Sequence, residues 1–246
     1  MKFGYYILNT YVPDLDGESS ELYAHWLEQI DAAEDLGFDS LWVTEHHFRY
    51  FGGMLPNPQL LLAAAAQRTK RMRLGAAVTI LPMHHPIRIA EDFAMVDLLS
   101  NGRLNFGAGR GMHPLEYTVF DADFKTAQSR LPEALDIIVR AWTGGEFEWN
   151  GKHYRYPKLA VYPKPAQKPH PPVILGGHAR TVLERIVEWG DGWLPNRATP
   201  AEIEAGRKKL DDLARKAGRN PSAITISVFA HSSFITRIAS RVCVQR

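Results

Sequence analysis

The sequence holds little of several features that define whole classes of protein. Its 246 residues include a single cysteine, Cys243, which excludes an internal disulfide and means that redox chemistry would need a cofactor. No apolar run approaches the roughly 20 residues of a membrane-spanning helix, and Met1–Leu8 is too short for the apolar region of a signal peptide. We therefore expect a cytoplasmic protein that does not associate with a membrane.

The chain also lacks a strong charge of either sign. Lys and Arg together number 29 against 27 Asp and Glu, which gives a formal net charge of +2. The densest basic run, Arg68–Arg73, falls where a predicted helix ends, and cations are favoured at helix C-termini. This distribution argues against a surface that binds nucleic acid.

What the sequence does hold is a repeated alternation of short apolar runs with helical periodicity, which predicts a parallel sheet. We expect strands at Lys2–Leu8, Asp39–His46, Arg73–Leu81, Leu104–Gly109, Pro172–Gly176, Gly192–Pro195 and Ile224–Phe229. A chain of this length and pattern is typical of one α/β domain folded as a TIM-type (β/α) barrel. We predict that residues 1–229 form this barrel and that it lacks the closing eighth β/α unit.

Two segments depart from the alternation. Between the fourth and fifth predicted strands, the single helix Arg130–Thr143 cannot fill the available length, and Glu146–Tyr156 is predicted to form a small hairpin insertion. Asn150-Gly151 suits the positive φ angles of a two-residue hairpin turn. Residues 230–246 form an atypical basic tail without Asp or Glu, and we interpret it as a truncated or frame-shifted end.

One predicted helix is apolar around most of its circumference. Leu60–Ala66 is built only of leucine and alanine, and a helix of this kind is usually buried on all sides. The barrel can cover one face, so we predict that a second copy of the chain covers the opposite face in a homodimer. A covering loop of the same chain is the alternative.

Parallel barrels carry their chemistry where the strands end and the following loops begin. His46 lies at such a position and titrates near neutrality, so it is the candidate for proton transfer. The alternative is a half-exposed loop histidine with no chemical role. His47 is expected to face the opposite side, because neighbouring residues of a strand alternate.

A metal-dependent hydrolase on the same barrel is a competing hypothesis, with ligands drawn from Glu45, His46, His47, His84 and His85. Strand alternation brings at most one histidine of each adjacent pair to the centre, and neither pair has the spacing of a helical zinc motif. We therefore predict no metal site.

Two glycine-rich segments are candidates for binding a phosphate. Gly107–Gly111 contains Arg110, whose guanidinium offers a planar fork of donors. Gly176–Thr181 passes from a strand through two glycines into a helix N-terminus, where free N–H groups favour an anion. Each segment alone could be a tight turn, but together they predict one site.

Seven segments follow one another in a characteristic order and spacing: Lys2–Gly4, Gly37–Trp42, Glu45–Phe48, Leu81-Pro82 with His85-Pro86, Ala90–Asp92, Gly102-Arg103 and Gly109–Gly111. They resemble those of the bacterial-luciferase-like flavin monooxygenases, the family of alkanal monooxygenase. The resemblance extends from Met1 to about Phe229, and the E-H-H-F and A-E-D segments are its most specific part.

The resemblance implies a barrel that binds reduced flavin mononucleotide (FMN) from a separate flavin reductase and uses O₂ to oxygenate a small organic substrate. The family's catalytic histidine falls on His46. A strand segment with a cis peptide that packs against the flavin ring falls on Ala77-Val78, and the phosphate-binding arginine falls on Arg110. The phosphate loop and helix start fall on Gly177, His178 and Thr181.

Some positions depart from the resemblance. Gly109 stands where luciferase has a reactive cysteine, and His113 where it has a tyrosine of the aldehyde pocket, so light emission is not implied. Two alternatives stay open: hydride transfer with a deazaflavin coenzyme, and a catalytically silent relic that still binds flavin.

Overall fold

The computed structural model describes residues 1–8, 11–49, 52–196 and 198–229. The strands are β1 (Gly4–Ile7), β2 (Ser40–Val43), β3 (Arg73–Ala76), β4 (Thr79–Ile80), β5 (Leu104–Gly109), β6 (Phe147–Asn150), β7 (Arg155–Leu159), β8 (Val173–Gly176), β9 (Gly192–Leu194) and β10 (Thr225–Ile226). The helices are α1 (Pro13–Asp16), α2 (Ser19–Asp35), α3 (Pro58–Arg68), α4 (Pro86–Leu99), α5 (Pro114–Val119), α6 (Ala127–Thr143), α7 (Arg180–Trp189) and α8 (Pro200–Lys216). The predicted tail, residues 230–246, lies outside the described part of the chain.

The main sheet is parallel throughout and follows the chain. Its order is β1-β2-β3-β5-β8-β9-β10, and β4 pairs with the end of β5. Helices separate successive strands, so the predicted (β/α) architecture is confirmed, with a strand at each of the seven expected positions. At the two ends of the sheet, the rings of Tyr6 and Phe229 lie 4.2 Å apart between centroids.

The third strand is not continuous, contrary to the prediction of one strand over Arg73–Leu81. It breaks after Ala76, the Ala77–Val78 peptide bond is cis, and pairing resumes at Thr79. Leu74 pairs with Leu104 and Thr79 with Ala108, so this strand uses one residue more than β5 over the same distance. The extra residue forms a bulge at Ala77-Val78 relative to β5, although Ala77 N still donates to Val43 O of β2 at 2.7 Å.

The antiparallel pair β6-β7 lies between α6 and β8. The prediction of a two-residue Asn150-Gly151 turn is wrong, because Asn150 pairs with Arg155 and the loop contains four residues, Gly151–Tyr154. The Glu133 carboxylate holds this loop, since it accepts hydrogen bonds from the backbone N–H groups of His153 and Tyr154. A side-chain acceptor on α6 therefore replaces the close cross-strand pairing of a tight turn.

Helix α3 begins at a capped position and leaves one face uncovered. The Asn57 side chain accepts a hydrogen bond from Leu60 N, and Pro58 occupies the first turn. Leu62 and Ala65 are fully buried against the barrel, but Leu60 is 70% exposed. The described chain thus covers one face of α3 and leaves Leu60 exposed, and the expected cover by a second copy stays a prediction.

The N-terminal ends of the strands carry polar side chains that are densely paired. Arg103, just before β5, donates hydrogen bonds to the carbonyl oxygens of Ala66, Thr69, Met72 and Ser100. The buried Asp97 accepts from the backbone and side-chain N–H groups of Gln167. The polar side chains at this end of the barrel therefore stabilise the fold.

No helix in the described ranges is long and apolar enough to cross a membrane.

Candidate active site

His46 lies in the extended segment after β2, at the C-terminal end of the sheet. Its Nδ1 is buried, makes no hydrogen bond within the described chain and lies 3.6 Å from Glu116 Oε1. Glu116 belongs to α5 and is fully buried; its Oε1 accepts a hydrogen bond from His47 N at 3.1 Å. The structure therefore places a carboxylate against the predicted proton-transfer residue.

The Glu116 carboxyl is held in its ionised form. Burial alone would raise its pKa, but the neighbouring His46 imidazole and the His47 N–H together lower it. An ionised carboxylate can fix the orientation of the His46 ring and stabilise a proton held on it. His46 and Glu116 thus form a pair able to hold a proton at the mouth of the barrel.

A second buried carboxylate, Glu45, organises the histidines beside this pair. It accepts hydrogen bonds from His47 Nε2 at 3.1 Å, His84 Nε2 at 2.6 Å and Ile80 N at 2.9 Å. Burial would raise its pKa, but the hydrogen bonds from His47 and His84 lower it to about 2. The network ties the end of β2 to β4 and joins the His47 ring to Glu45, whereas the His46 ring lies against Glu116.

This network gives three of the residues considered as metal ligands a structural role. Glu45, His47 and His84 already satisfy one another, and His85 packs against the Tyr156 ring at 5.3 Å. In the ranges that the structure describes, no three His, Cys, Asp or Glu side chains are arranged to hold a metal ion.

An apolar floor lies beside these polar groups. Val78 projects between the ends of β5 and β8, where a Cβ at Gly109 would lie 2.4 Å from its Cγ2 and one at Gly176 2.9 Å from its Cγ1. Val78 and Ala77 pack on a cluster inside the sheet that contains Trp42, Ile174 and Leu194. Because Gly109 and Gly176 have no side chain, Val78 has room to project at the mouth of the barrel.

The segments expected to bind phosphate lie at the same ends of β5 and β8. Arg110 directly follows β5, is exposed, and its guanidinium carbon lies 5.0 Å from the centroid of the Phe124 ring. Gly177 has a φ of 115°, a conformation that favours glycine, and its N–H donates to Leu194 O at 3.0 Å. His178 and Thr181 are exposed at the start of α7. In a helix start, the first backbone N–H groups have no intrahelical acceptor.

A second arginine, which the sequence analysis missed, lies near this group. Arg185 lies one turn along α7 from Thr181, and its Nη2 donates to Gln128 O at 2.7 Å. Gln128 Nε2 in turn donates to Thr181 Oγ1 at 3.1 Å. Burial lowers the pKa of Arg185, and the charge of nearby Arg110 lowers it further. The four-residue spacing from Thr181 on one helix face was the available signal.

The residues fit a group with a planar apolar body and a dianionic tail. The Val78 floor presents apolar surface, and two mutually repelling guanidinium groups beside a helix N-terminus favour a bound anion. The predicted flavin-binding residues therefore combine an apolar surface at Ala77-Val78 with a cationic one at Arg110 and the start of α7. His46 lies at the same rim.

Sequence comparison identifies curated proteins that are related to this chain. The chain is 36% identical over 175 residues to the flavin-dependent trigonelline monooxygenase, oxygenase component, of Acinetobacter baylyi, an alignment that covers 70% of this chain and 48% of that protein. It is 32% identical over 190 residues to the alkanal monooxygenase alpha chain of the Kryptophanaron alfredi symbiont, covering 77% and 52%. The chain thus spans about half the length of these curated relatives.

Structure comparison finds the same fold in solved proteins. Monooxygenase RslO1 from Streptomyces bottropensis has a TM-score of 0.89 and 28% identity, and the match covers 100% of this chain and 76% of that one. An F420-dependent secondary alcohol dehydrogenase has a TM-score of 0.77 and 23% identity, with 92% and 68% coverage, and shows likeness of fold alone. The profile of the family described as luciferase-like monooxygenase matches residues 1–237. This chain belongs to the luciferase-like monooxygenase family.

Proposed function

We propose that the protein is a flavin-dependent monooxygenase that uses reduced FMN and O₂ to oxygenate a small organic substrate. The observation that carries this is the adjacency of the Val78 floor, the Arg110–Arg185 pair and the start of α7 at one end of the sheet. The relative from Acinetobacter baylyi is described as an oxygenase component, which supports a separate flavin reductase as the partner that supplies reduced flavin.

In this proposal the chain's own residues bind the flavin phosphate, support the flavin ring and position a proton donor. Arg110 and Arg185, with Gly177, His178 and Thr181, hold the phosphate by charge and backbone N–H groups. Ala77 and Val78 support the flat face of the ring and exclude water from it. Bound reduced flavin supplies the electrons that activate O₂. His46 holds or delivers a proton at the reacting centre, with its ring oriented by Glu116.

Binding and turnover test the proposal in two stages. Under anaerobic conditions we expect reduced FMN to bind more tightly than riboflavin, which lacks the phosphate. With a flavin reductase, NADH and isotopically labelled O₂, we expect one labelled oxygen atom in the product from a panel of small organic substrates. Equal binding of both flavins contradicts the assigned site. Tight FMN binding with no product from any substrate indicates the silent flavin-binding relic instead.

Hydride transfer with a deazaflavin coenzyme is the second candidate function, and the fold likeness to F420-dependent enzymes favours it. The two functions differ in their dependence on O₂. Absorbance titrations with FMN and with the deazaflavin coenzyme separate them, since the assigned function predicts higher affinity for FMN and product formation that stops without O₂.

We also propose that the protein forms a homodimer through α3 and α4. The two helices pack side by side, and their outer face exposes Leu60 (70%), Met95 (51%), Leu98 (45%) and Leu99 (47%). A second copy of the chain presents the same apolar face, so the two faces can pack against each other in a two-fold dimer. Light scattering at micromolar concentration should give twice the monomer mass, and Leu60→Glu should reduce it. A monomeric wild-type protein contradicts the proposal. We place the enzyme in the cytoplasm, where reduced flavin is regenerated.

A further inference from the structure

Two neighbouring tyrosines of β1 face opposite sides of the sheet. The hydroxyl of Tyr5 donates to Gln29 Oε1 of α2 at 2.7 Å, so Tyr5 points toward the helices outside the sheet. Ile7, on the same face as Tyr5, is buried in the main core. Because side chains alternate along a strand, Tyr6 points to the inside of the curved sheet.

Tyr6 packs against the apolar cluster inside the sheet, on which Val78 also packs. The buried members of this cluster are Trp42, Ile174 and Leu194. The centroid of the Tyr6 ring lies 4.2 Å from that of Phe229, which follows the end of β10. Tyr6 therefore lies on the inner surface toward the C-terminal ends of the strands, beside the predicted flavin-binding residues.

The Tyr6 hydroxyl has no hydrogen-bond partner among the described residues. The side chain keeps partial exposure, and its oxygen is not one of the unpartnered side-chain atoms that are sealed from solvent. A phenol that stabilises its own fold is usually paired, as Tyr5 is with Gln29. The hydroxyl of Tyr6 is instead within reach of a ligand that enters the barrel.

The surroundings of Tyr6 define which ligand group suits it. Burial raises the pKa of Tyr6 to about 12, so the phenol keeps its proton at neutral pH and can donate it in a hydrogen bond. No charged group of the described chain contributes to this shift. An ionised ligand group would lose its hydration here without a counter-ion, whereas a neutral acceptor such as a carbonyl oxygen loses far less. The apolar and aromatic side chains around Tyr6 suit an apolar ligand body.

We propose that Tyr6 is a substrate-binding residue whose hydroxyl donates a hydrogen bond to an uncharged acceptor on the organic substrate. Tyr6 thereby selects among apolar molecules of similar shape, because a molecule without an acceptor leaves the hydroxyl unpaired when it excludes water. This role rests on the proposed function, which supplies the substrate, but the contact itself can be measured without turnover.

Binding of two probes of the same shape tests the proposal. Acetophenone carries a carbonyl oxygen, and α-methylstyrene has a methylene group in its place. In sealed equilibrium dialysis, with and without FMN, Tyr6→Phe should weaken acetophenone binding ~5-fold or more and leave α-methylstyrene binding unchanged. Tyr5→Phe is the matched control on the other face of the strand and should bind both probes as the wild-type protein does. No acetophenone binding by the wild-type protein, or an equal loss of both probes in Tyr6→Phe, overturns the proposal.

Stability and flavin affinity separate this contact from other roles of the hydroxyl. Tyr6→Phe should leave the Tm unchanged or raise it, whereas Tyr5→Phe should lower it, because only Tyr5 loses a hydrogen bond to its own chain. An equal fall of the Tm in both variants assigns the Tyr6 hydroxyl to the fold and overturns the proposal. Weaker binding of both FMN and riboflavin by Tyr6→Phe assigns it to the flavin ring and overturns the proposal as well. Failure of the proposed function is distinct, because it is the absence of labelled product from a wild-type protein that still binds acetophenone through Tyr6.

Discussion

The two ends of the strands treat their polar side chains in opposite ways. At the N-terminal ends, Arg103 donates to four backbone carbonyls and Asp97 accepts from Gln167 and the backbone. At the C-terminal ends, His46 Nδ1 and Glu116 Oε2 are buried without a hydrogen-bond partner in the described residues. Polar groups that satisfy one another stabilise the fold, whereas groups left unsatisfied are available to a ligand.

The comparison therefore separates stability from binding along the axis of one barrel. Substitutions at the paired end should change the free energy of unfolding and leave ligand affinity alone. Substitutions of the unpaired groups at the mouth should do the reverse. Four variants, taken from the largest expected effect to the smallest, test whether the separation holds.

Arg103→Ala should have the largest effect. It leaves four carbonyls without their donor, and we expect the free energy of unfolding to fall by about 3 kcal/mol or more. Urea denaturation measures this change. Arg88→Ala is the matched control, because Arg88 is 71% exposed with a single ion pair to Glu91, and should cost under about 0.5 kcal/mol. Similar losses in both variants would break the comparison.

His46→Ala should lower turnover by ~10²-fold or more, as expected when a general acid–base group is lost. FMN affinity and the free energy of unfolding should change little. Glu116→Gln tests the positioning role: it removes the negative charge beside the imidazole, so it should shift the pH profile of turnover as well as reduce the rate. Normal turnover by the His46 variant would remove the residue from the mechanism.

Arg110→Ala should weaken FMN binding by about 1.5–3 kcal/mol, because a charge-assisted contact to the phosphate is lost. Riboflavin, which has no phosphate, should bind as before. Arg185→Ala should act in the same direction if both guanidinium groups face the phosphate. Fluorescence titration with the two flavins measures both, and equal losses for FMN and riboflavin would assign Arg110 a structural role.

The smallest effect concerns the Glu45 network at the mouth, in which Glu45 accepts hydrogen bonds from His47, His84 and Ile80 N. Burial would lower the pKa of His84, but the hydrogen bond and charge of Glu45 raise it overall from its ordinary 6.5. A raised folded-state pKa means that charged His84 contributes stability below pH 6.5, and that this contribution is lost as pH rises through the folded-state pKa. The lowered pKa of Glu45 has the opposite sign: its contribution is present above 4.5 and lost as pH falls toward 2.

His84→Gln keeps a neutral donor near Glu45 and removes the titration. The wild-type protein should lose stability on the order of 1 kcal/mol on the alkaline side, and the variant should show a flatter profile there. Urea denaturation from acid to alkaline pH measures both. Parallel profiles would show that the His84 charge does not contribute.

The fold was accessible from the sequence because its signals are local. Apolar runs and helical periodicity marked all seven strand positions, and Asn57-Pro58 marked a helix start that the structure contains. The break after Ala76 was not visible as a pattern, because a bulge depends on the register with β5. The hairpin turn was misjudged because Glu133, distant in sequence, holds the loop.

The candidate site divides in the same way. His46 could be placed from its position after a strand, and the roles assigned to Ala77, Val78, Arg110, Gly177, His178 and Thr181 stay predictions that rest on the resemblance. Glu116 gave no comparable local signal. Glu116 belongs to the stretch between β5 and α6 and meets His46 only through tertiary packing. Contacts of this kind follow from the assembled barrel.

The position of Val78 has a consequence for how this protein can change over evolution. A Cβ at Gly109 or Gly176 collides with its methyl groups, at 2.4 Å and 2.9 Å. A larger residue at either glycine is therefore acceptable only after position 78 has become smaller. The order of substitutions therefore matters. A larger residue at Gly109 alone collides with Val78, whereas the same change is accommodated after a smaller residue has replaced Val78. Variation at Gly109 and Gly176 is thus coupled to a change at Val78.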